Sequence, residues 1–182
     1  MFVCTVLPTY NEEENVELLI EGLLREKQGP NMVLVVDDNS SDATAEKVRN
    51  LSIKYNAYDQ IKVALIQRRN DRGLTTAIQY GIDVATKRYA ANIVTWMDCD
   101  LSMPPKDVPQ LLAPLMEGSA DIAIGSRWIS GGADVAHGLV ARTMSRIINF
   151  WAQLLLSSDI SDYTSGFVAV NAKVLKTLRL QG

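Results

Sequence analysis

The sequence predicts an α/β protein: a single domain with a mostly parallel central sheet flanked by helices on both faces. Three observations predict it. Short β-branched apolar runs alternate with segments whose apolar residues recur at helical spacing, in the order βαβαβαβαβ. Polar and acidic clusters follow the successive strand runs. No internal repeat, low-complexity tract or linker interrupts the 182 residues, a length that suits one domain with a substantial core.

The elements follow in order. "FVCTVL" (2–7) is expected as the first strand. Residues 14–27 are then expected as a helix with Val16, Leu19, Ile20, Leu23 and Leu24 on one stripe, the pattern of a helix lying on a sheet. "MVLVV" (32–36) is the second strand, and "DATAEKVRNLSIKY" a helix with Ala45, Val48, Leu51 and Tyr55 inward. "IKVALIQ" (61–67) is the third strand, followed by a helix over 74–88 with Leu74, Ala77, Ile78, Gly81, Ile82 and Ala85 on its inner face. "NIVTWM" (92–97) is the fourth. A proline-led helix at about 105–117 leads to "DIAIG" (121–125), the fifth. Residues 138–156 make a long apolar helix with Arg142 and Arg146 one turn apart; it is either a core helix with surface arginines or a helix lying near a membrane surface. "YTSGFVAVN" (163–171) is the last strand and "AKVLKTL" a short final helix.

Composition narrows the function. The chain is 47% hydrophobic and 21% charged, as in soluble globular proteins, and its formal net charge is −3. That charge gives no electrostatic case for nucleic-acid binding. Residues 1–120 carry 12 basic against 17 acidic side chains, and residues 121–182 carry 6 against 4. Such asymmetry suits a cation site followed by an anion site. Cys4 and Cys99 are the only cysteines, both in strand-like runs, and are expected to be buried reduced thiols. The first apolar run breaks at Pro8, too early for a signal peptide, and no stretch is apolar for long enough to span a bilayer.

The polar clusters carry the chemistry. "PTYNEEEN" follows the first strand, "DDNSSD" the second, "RRNDRG" the third, "DCDLS" the fourth and "GSR" the fifth. In an open α/β sheet these positions share one rim, outside the carboxyl ends of the strands, where ligands bind. Asp37 and Asp38 with "NSSD" are open to two readings, as turn and helix-capping residues or as ligand contacts. Asp98 and Asp100 are separated by one residue, so strand alternation turns both away from Cys99. Two acids so close call for a cation between them, and hard carboxylates suit Mg²⁺ or Mn²⁺ with positions left for phosphate oxygens. His137 lies in a "GGADVAHG" loop with no partner at ligand spacing and is expected as a loop or substrate-contact residue.

"VLPTYNEEEN", "VVDDNSSDAT", "NDRG", "MDCDLSMPP", "ADIAIGSRW" and "TSGF" together resemble, in order from Val6 to Phe167, the motifs of family 2 glycosyltransferases. Within that family they resemble the polyprenol-phosphate (dolichol-phosphate) mannosyltransferase branch. The resemblance implies a single-domain GT-A-like fold and a metal-assisted, inverting transfer of a sugar, mannose from GDP-mannose first, onto a polyprenyl or dolichyl phosphate. It implies that Pro8, Tyr10, Glu12, Asp37, Asp38, Asp98 and Cys99 line the nucleotide-sugar. Asp98 and Asp100, with Ser102, would hold the metal. Arg127, Arg142, Ser145 and Arg146 would receive the acceptor phosphate, for which the planar guanidinium fork is suited. Asp98, Asp100 and Arg127 would be the catalytic set. An enzyme of this kind works at the cytoplasmic face of a membrane, and the 138–156 helix would be its docking surface. Relatives continue past the "SGF" strand, so 1–182 reads either as a catalytic domain lacking its C-terminal segment or as a shortened member with a membrane-anchoring partner subunit.

Other readings compete. Glucose from UDP-glucose onto undecaprenyl phosphate is one. A family 2 transferase using a UDP-sugar and a hydroxyl acceptor is another, with Asp162 as general base. A non-catalytic module is the third, including a phosphoreceiver-like one suggested by "VLVVDDNS"; that arrangement, however, puts its acids on the first strand rather than after the second.

Overall fold

The computed structural model describes residues 1–128, 139–155 and 160–175, with backbone alone for 139–142. The chain forms β1 (Val3–Thr9), α1 (Val16–Arg25), β2 (Met32–Asp37), α2 (Thr44–Tyr55), β3 (Val63–Gln67) and α3 (Leu74–Lys87). It continues with β4 (Ile93–Trp96), a 3-10 turn at Pro105–Asp107, α4 (Val108–Met116), β5 (Ile122–Ile124), α5 (Leu139–Leu155), β6 (Val168–Asn171) and α6 (Ala172–Leu175). His137 and residues 176–178 of the expected final helix lie outside the described residues.

The strands form one sheet in the order β3-β2-β1-β4-β6-β5. β1 pairs in parallel with β2 and with β4, and β2 pairs in parallel with β3. β6 runs antiparallel to both β4 and β5, so β1 to β5 all point one way and β6 alone is reversed. The sheet is therefore mixed rather than uniformly parallel. Its reversed strand is also shorter than expected, since residues 163–167 are turn and loop and pairing begins at Val168. The reversal has a functional effect: the "TSGF" loop enters β6 at the rim where β1 to β5 end.

Alternation of side chains splits the core in two. Val3, Leu7, Val33, Val35, Ile93 and Met97 face α1, α2 and α4, packing on Leu19, Ile20, Leu23, Val48 and Leu112. Cys4, Val6, Leu34, Val36 and Val94 face α3, against Ala77, Ile82 and Ala85. Every residue of β1 and β2 is buried, as expected for strands covered on both faces. Leu74 departs from its expected inward position and is 57% exposed. It occupies the first turn of α3, beyond the strand ends, where no sheet lies beneath it.

Gly81 marks the closest approach of α3 to the sheet. A Cβ added there would lie 2.3 Å from Val6 Cγ1 and 3.1 Å from Val36 Cγ2. Gly81→Ala gains up to about 1 kcal/mol in helix propensity but overpacks the contact by roughly 1–3 kcal/mol. The expected outcome is a lower urea midpoint at unchanged m-value; a higher midpoint would contradict this packing.

α5 settles one choice left open by the sequence. Met144, Ile147, Ile148, Phe150, Trp151, Leu154 and Leu155 are all exposed, and Asn149 is the buried residue among its described side chains. It is a surface helix with an apolar outer face, not a core helix. None of the described helices is long and apolar enough to cross a membrane.

Candidate active site at the strand ends

After β3 the chain returns to the opposite side of β1 to form β4, so the direction of winding changes between β1 and β4. Crevices for ligands form at such a point, outside the carboxyl ends of the strands. The loop after β1 and the loop after β4 border it.

On the β4 side, strand pairing stops at Trp96, two residues before the acids, yet the alternation of burial continues through the turn. Met97 and Cys99 are buried in the core, Asp98 is half-buried and Asp100 exposed. Asp100 Oδ1 accepts the Ser102 backbone N–H at 3.0 Å, and Leu101 takes a left-handed φ of 61° to close the turn. A Cβ added at Gly166 would stand 3.2 Å from Asp98 Oδ2, a tight contact that glycine relieves where the "TSGF" loop comes this near. Burial pushes the Cys99 thiol up to about 12, and the negative charges of Glu12, Asp100 and Asp98 add to the shift. Cys99 itself is 3% exposed, so its side chain is not placed to touch a nucleotide.

The loops after β1 and β2 are latched to each other. Asn11 N–H donates to Ser40 Oγ at 2.9 Å, and Asn11 Oδ1 accepts the Ser41 N–H at 2.9 Å. Glu12 N–H donates to Thr44 Oγ1 at 2.8 Å, Glu13 N–H to Asp42 Oδ2 at 3.1 Å, and Glu13 Oε2 accepts the Ala43 N–H at 2.9 Å. "DDNSSD" is therefore neither a simple cap nor an open acidic pocket. Ser40 bonds to Asp37, while Asp42 Oδ1 accepts the Thr44 N–H at 3.0 Å in a cap-like contact.

Asp37 and Asp38 differ in what they hold. Asp37 is fully buried and accepts from Thr9 Oγ1 at 3.1 Å, from both Ser40 donors and from Gln67 Nε2 at 3.4 Å. It ties three strand ends together, and its carboxylate faces protein on every side described. Asp38, also buried, takes a two-pronged bond from Arg68, Nε to Oδ1 at 2.6 Å and Nη2 to Oδ2 at 2.8 Å, and the Gly73 N–H at 2.8 Å. Arg68 thereby folds the loop after β3 onto the rim. Tyr10 is 49% exposed, and Arg72 of the same loop lies over its ring, 4.9 Å from the centroid. Pro8 is buried within β1.

The basic side of the rim follows β5. Arg127 Nε donates to Asp162 Oδ2 at 2.8 Å, and its Nη2 donates to Asp162 Oδ1 at 3.0 Å and Thr164 Oγ1 at 2.6 Å. Burial would raise the Asp162 carboxyl, but bonds from Arg127 and Thr164 outweigh it and hold its pKa at about 2. Two expectations change as a result. Arg127 is a paired cation that anchors the loop, and Asp162 is too weak a base and too enclosed, at 1% exposure, to deprotonate a hydroxyl. Buried Asn149 of α5 completes the cluster, donating to Asp162 Oδ1 at 3.2 Å and accepting the Tyr163 N–H. Trp128 has Arg127 and Arg146 over its ring, at 5.5 and 5.0 Å from the centroid. Ser145 is half-buried beside exposed Arg146, and the Arg142 side chain lies outside the described residues.

Sequence reasoning missed Arg68, Gly73, Thr164, Gly166 and Asn149 as site-building residues. The first four stand inside clusters that mark the rim. Asn149, in "IINFW", had a weaker signal: an amide in an otherwise apolar run.

A single α/β domain with an acid corner at the switch point and a basic patch beyond it defines a GT-A-type fold. Solved structures agree: glucosyl-3-phosphoglycerate synthase from Mycobacterium tuberculosis, in complex with uridine diphosphate, matches with a TM-score of 0.71 at 20% identity, covering 97% of this chain and 59% of that one. The chain belongs to glycosyl transferase family 2, whose family model matches residues 4–179. It is 36% identical over 183 residues to a dolichol-phosphate mannosyltransferase of Pyrococcus furiosus, covering 99% of this chain and 49% of that protein. It is 31% identical to a polyprenol monophosphomannose synthase of Mycolicibacterium smegmatis, covering 96% and 63%. An undecaprenyl-phosphate mannosyltransferase of Micrococcus luteus is also 31% identical, with 99% and 70% covered. The chain thus spans about half to two thirds of the length of these relatives.

Proposed function

We propose that residues 1–182 are the catalytic domain of a membrane-associated, metal-assisted glycosyltransferase that moves mannose from GDP-mannose onto a polyprenyl phosphate. The observation that carries this reading is the placement of Asp98 and Asp100 in the turn after β4, with Asp98 against the "TSGF" loop, and of Arg127 and Arg146 on the Trp128 ring. The names of relatives 31–36% identical to the chain support the acceptor and the sugar.

The donor set suits a hard divalent cation. Among the described residues, no group of three or more His, Cys, Asp or Glu side chains is placed to hold a metal ion. An ion here would therefore be held by one or two carboxylates and completed by substrate phosphates and water, as Mg²⁺ and Mn²⁺ accept. Asp98 and Asp100 would hold it, with Ser102 alongside. When bound, the ion neutralises charge on the leaving diphosphate. A Mn²⁺, uridine diphosphate and phosphoglyceric acid complex of the mycobacterial synthase fits the same reading.

The nucleoside would rest along Pro8, Tyr10 and Glu12, on the loop that the Asn11–Ser40 latch keeps rigid, with Asp38 beneath. An acceptor phosphate oxygen attacks the anomeric carbon from the face opposite the diphosphate. The bond to the diphosphate breaks with its electron pair, and the configuration inverts. A phosphate monoester is already anionic near neutral pH, so no base is required; orientation by arginines does that work. This is also why the enclosure of Asp162 counts against a hydroxyl acceptor.

Incubating the protein with Mn²⁺, a panel of labelled nucleotide-sugars and polyprenyl phosphate tests the reading. Label from GDP-mannose should enter the organic phase and vanish with chelator. Transfer only to water-soluble glycans would refute it.

A polyprenyl chain stays in the bilayer, so the enzyme must meet it there, at the cytoplasmic face. The exposed apolar face of α5 is the proposed contact, with Arg146 toward lipid phosphates. Ile147→Asp together with Trp151→Asp should reduce sedimentation with anionic vesicles by about tenfold or more, leaving donor binding intact. Unchanged sedimentation would rule out this face.

A further inference from the structure

We propose that Trp128 is a positioning residue for the acceptor: its ring holds the Arg146 guanidinium beside Arg127 so that Arg146 meets the phosphate. The inference rests on the polyprenyl-phosphate reading of the same site, and it assigns unequal tasks to the two arginines.

Three observations lead to it. First, one indole lies within cation–π reach of both guanidinium groups, at 5.0 Å for Arg146 and 5.5 Å for Arg127. Arg127 comes from the loop after β5 and Arg146 from α5, so the ring joins two separate elements. Second, the two charges are not equivalent. Arg127 is bonded to the Asp162 carboxylate and to Thr164. Among the described residues no carboxylate lies within 4.0 Å of Arg146. An arginine already neutralised attracts a phosphate weakly. One held only by a ring face keeps its charge and its in-plane N–H fork for a phosphate.

Third, Trp128 Nε1 is buried and has no hydrogen-bond partner among the described residues. A buried indole N–H normally finds an acceptor. Here the ring is retained for its face and bulk, not for its donor. Beside it, a cleft of about 260 Å³ is lined by Trp128, Arg146, Asn149, Phe150, Gln153 and Ser161. It opens next to the apolar face of α5, where a lipid-borne phosphate would arrive.

The test is calorimetric binding of a short-chain prenyl phosphate and, separately, of GDP to the full chain. Trp128→Leu should weaken prenyl phosphate about tenfold and leave GDP within twofold. Trp128→Phe, which keeps a smaller aromatic face and removes the indole N–H, should restore part of the affinity lost in Trp128→Leu. In an Arg146→Ala background Trp128→Leu should cost nothing further, an outcome a merely structural tryptophan would not give. Should Trp128→Leu fail to fold, Arg146→Lys on the exposed helix surface decides: it keeps the charge but not the planar fork and should also lose about tenfold. Equal affinity in wild type and Trp128→Leu, a loss that persists without Arg146, or full retention by Arg146→Lys overturns the inference while the acceptor assignment stands. Absence of prenyl phosphate binding by the wild type, with GDP still bound, overturns the acceptor assignment and the inference with it.

Discussion

Asp98→Asn is expected to lower sugar transfer by on the order of 10²–10³-fold, with Asp100→Asn close behind. The size follows from the place of these acids. Asp98 is half-buried and the "TSGF" backbone approaches it so closely that a Cβ on Gly166 would come within 3.2 Å of Oδ2. A charge lost there is replaced poorly by water. Asp100 is exposed and shares one oxygen with the Ser102 N–H, so part of its charge is already compensated. Both amides keep the shape of the turn, so thermal stability should change little. The decisive comparison is donor affinity with and without Mn²⁺. Wild type should bind GDP-mannose more tightly with the ion, and Asp98→Asn should lose that difference. Metal dependence that survives in Asp98→Asn would place the cation elsewhere.

Arg127→Ala is expected to remove stability as well as activity, by about 3–5 kcal/mol. The Asp162 carboxylate would then be left buried among Thr164 and Asn149 without its cation. Arg127→Ala combined with Asp162→Asn should recover part of the loss, which separates the uncompensated charge from the packing. The same pair predicts an acid limit. The carboxyl of Asp162 is held at about 2 against an ordinary 3.8, so in the folded state it stays ionised where the unfolded chain would take up a proton. Its contribution, on the order of 2 kcal/mol, is complete above pH 4 and disappears as the pH falls toward 2. Wild type should therefore lose stability over that interval more steeply than Asp162→Asn. Parallel curves would show that the pair does not govern the acid transition.

Most of the scaffold was legible because its signals are local. The stripe Val16, Leu19, Ile20 and Leu23 has one physical meaning, and all four side chains are buried. The fully apolar β1 and β2 likewise read as central strands covered on both faces. What local pattern does not encode is partner choice. Nothing in "FVAVN" states that the strand runs backwards between β4 and β5, because direction is set by the path of the preceding 40 or so residues. The site was legible as a set of positions for a similar reason: strand ends in an open α/β sheet share an edge, and polar clusters there stand out. The tasks of individual charges were less legible. Asp37, Asp38, Arg127 and Asp162 look alike as rim charges, yet each is saturated by a partner 28 to 35 residues away in the chain. Long-range pairing of that kind leaves no periodic trace.

The reversed strand also constrains the order of assembly. Among the described residues β5 pairs in the sheet with β6 alone, and β6 is made more than 40 residues later. As the chain emerges, Ile122–Ile124 has nothing to zip onto, and Ile93–Trp96 presents a bare flank, until Val168–Asn171 slots between them. The rim at the ends of β1, β2 and β3 is thus ready early, while the loop bearing Arg127 is fastened only once β6 arrives.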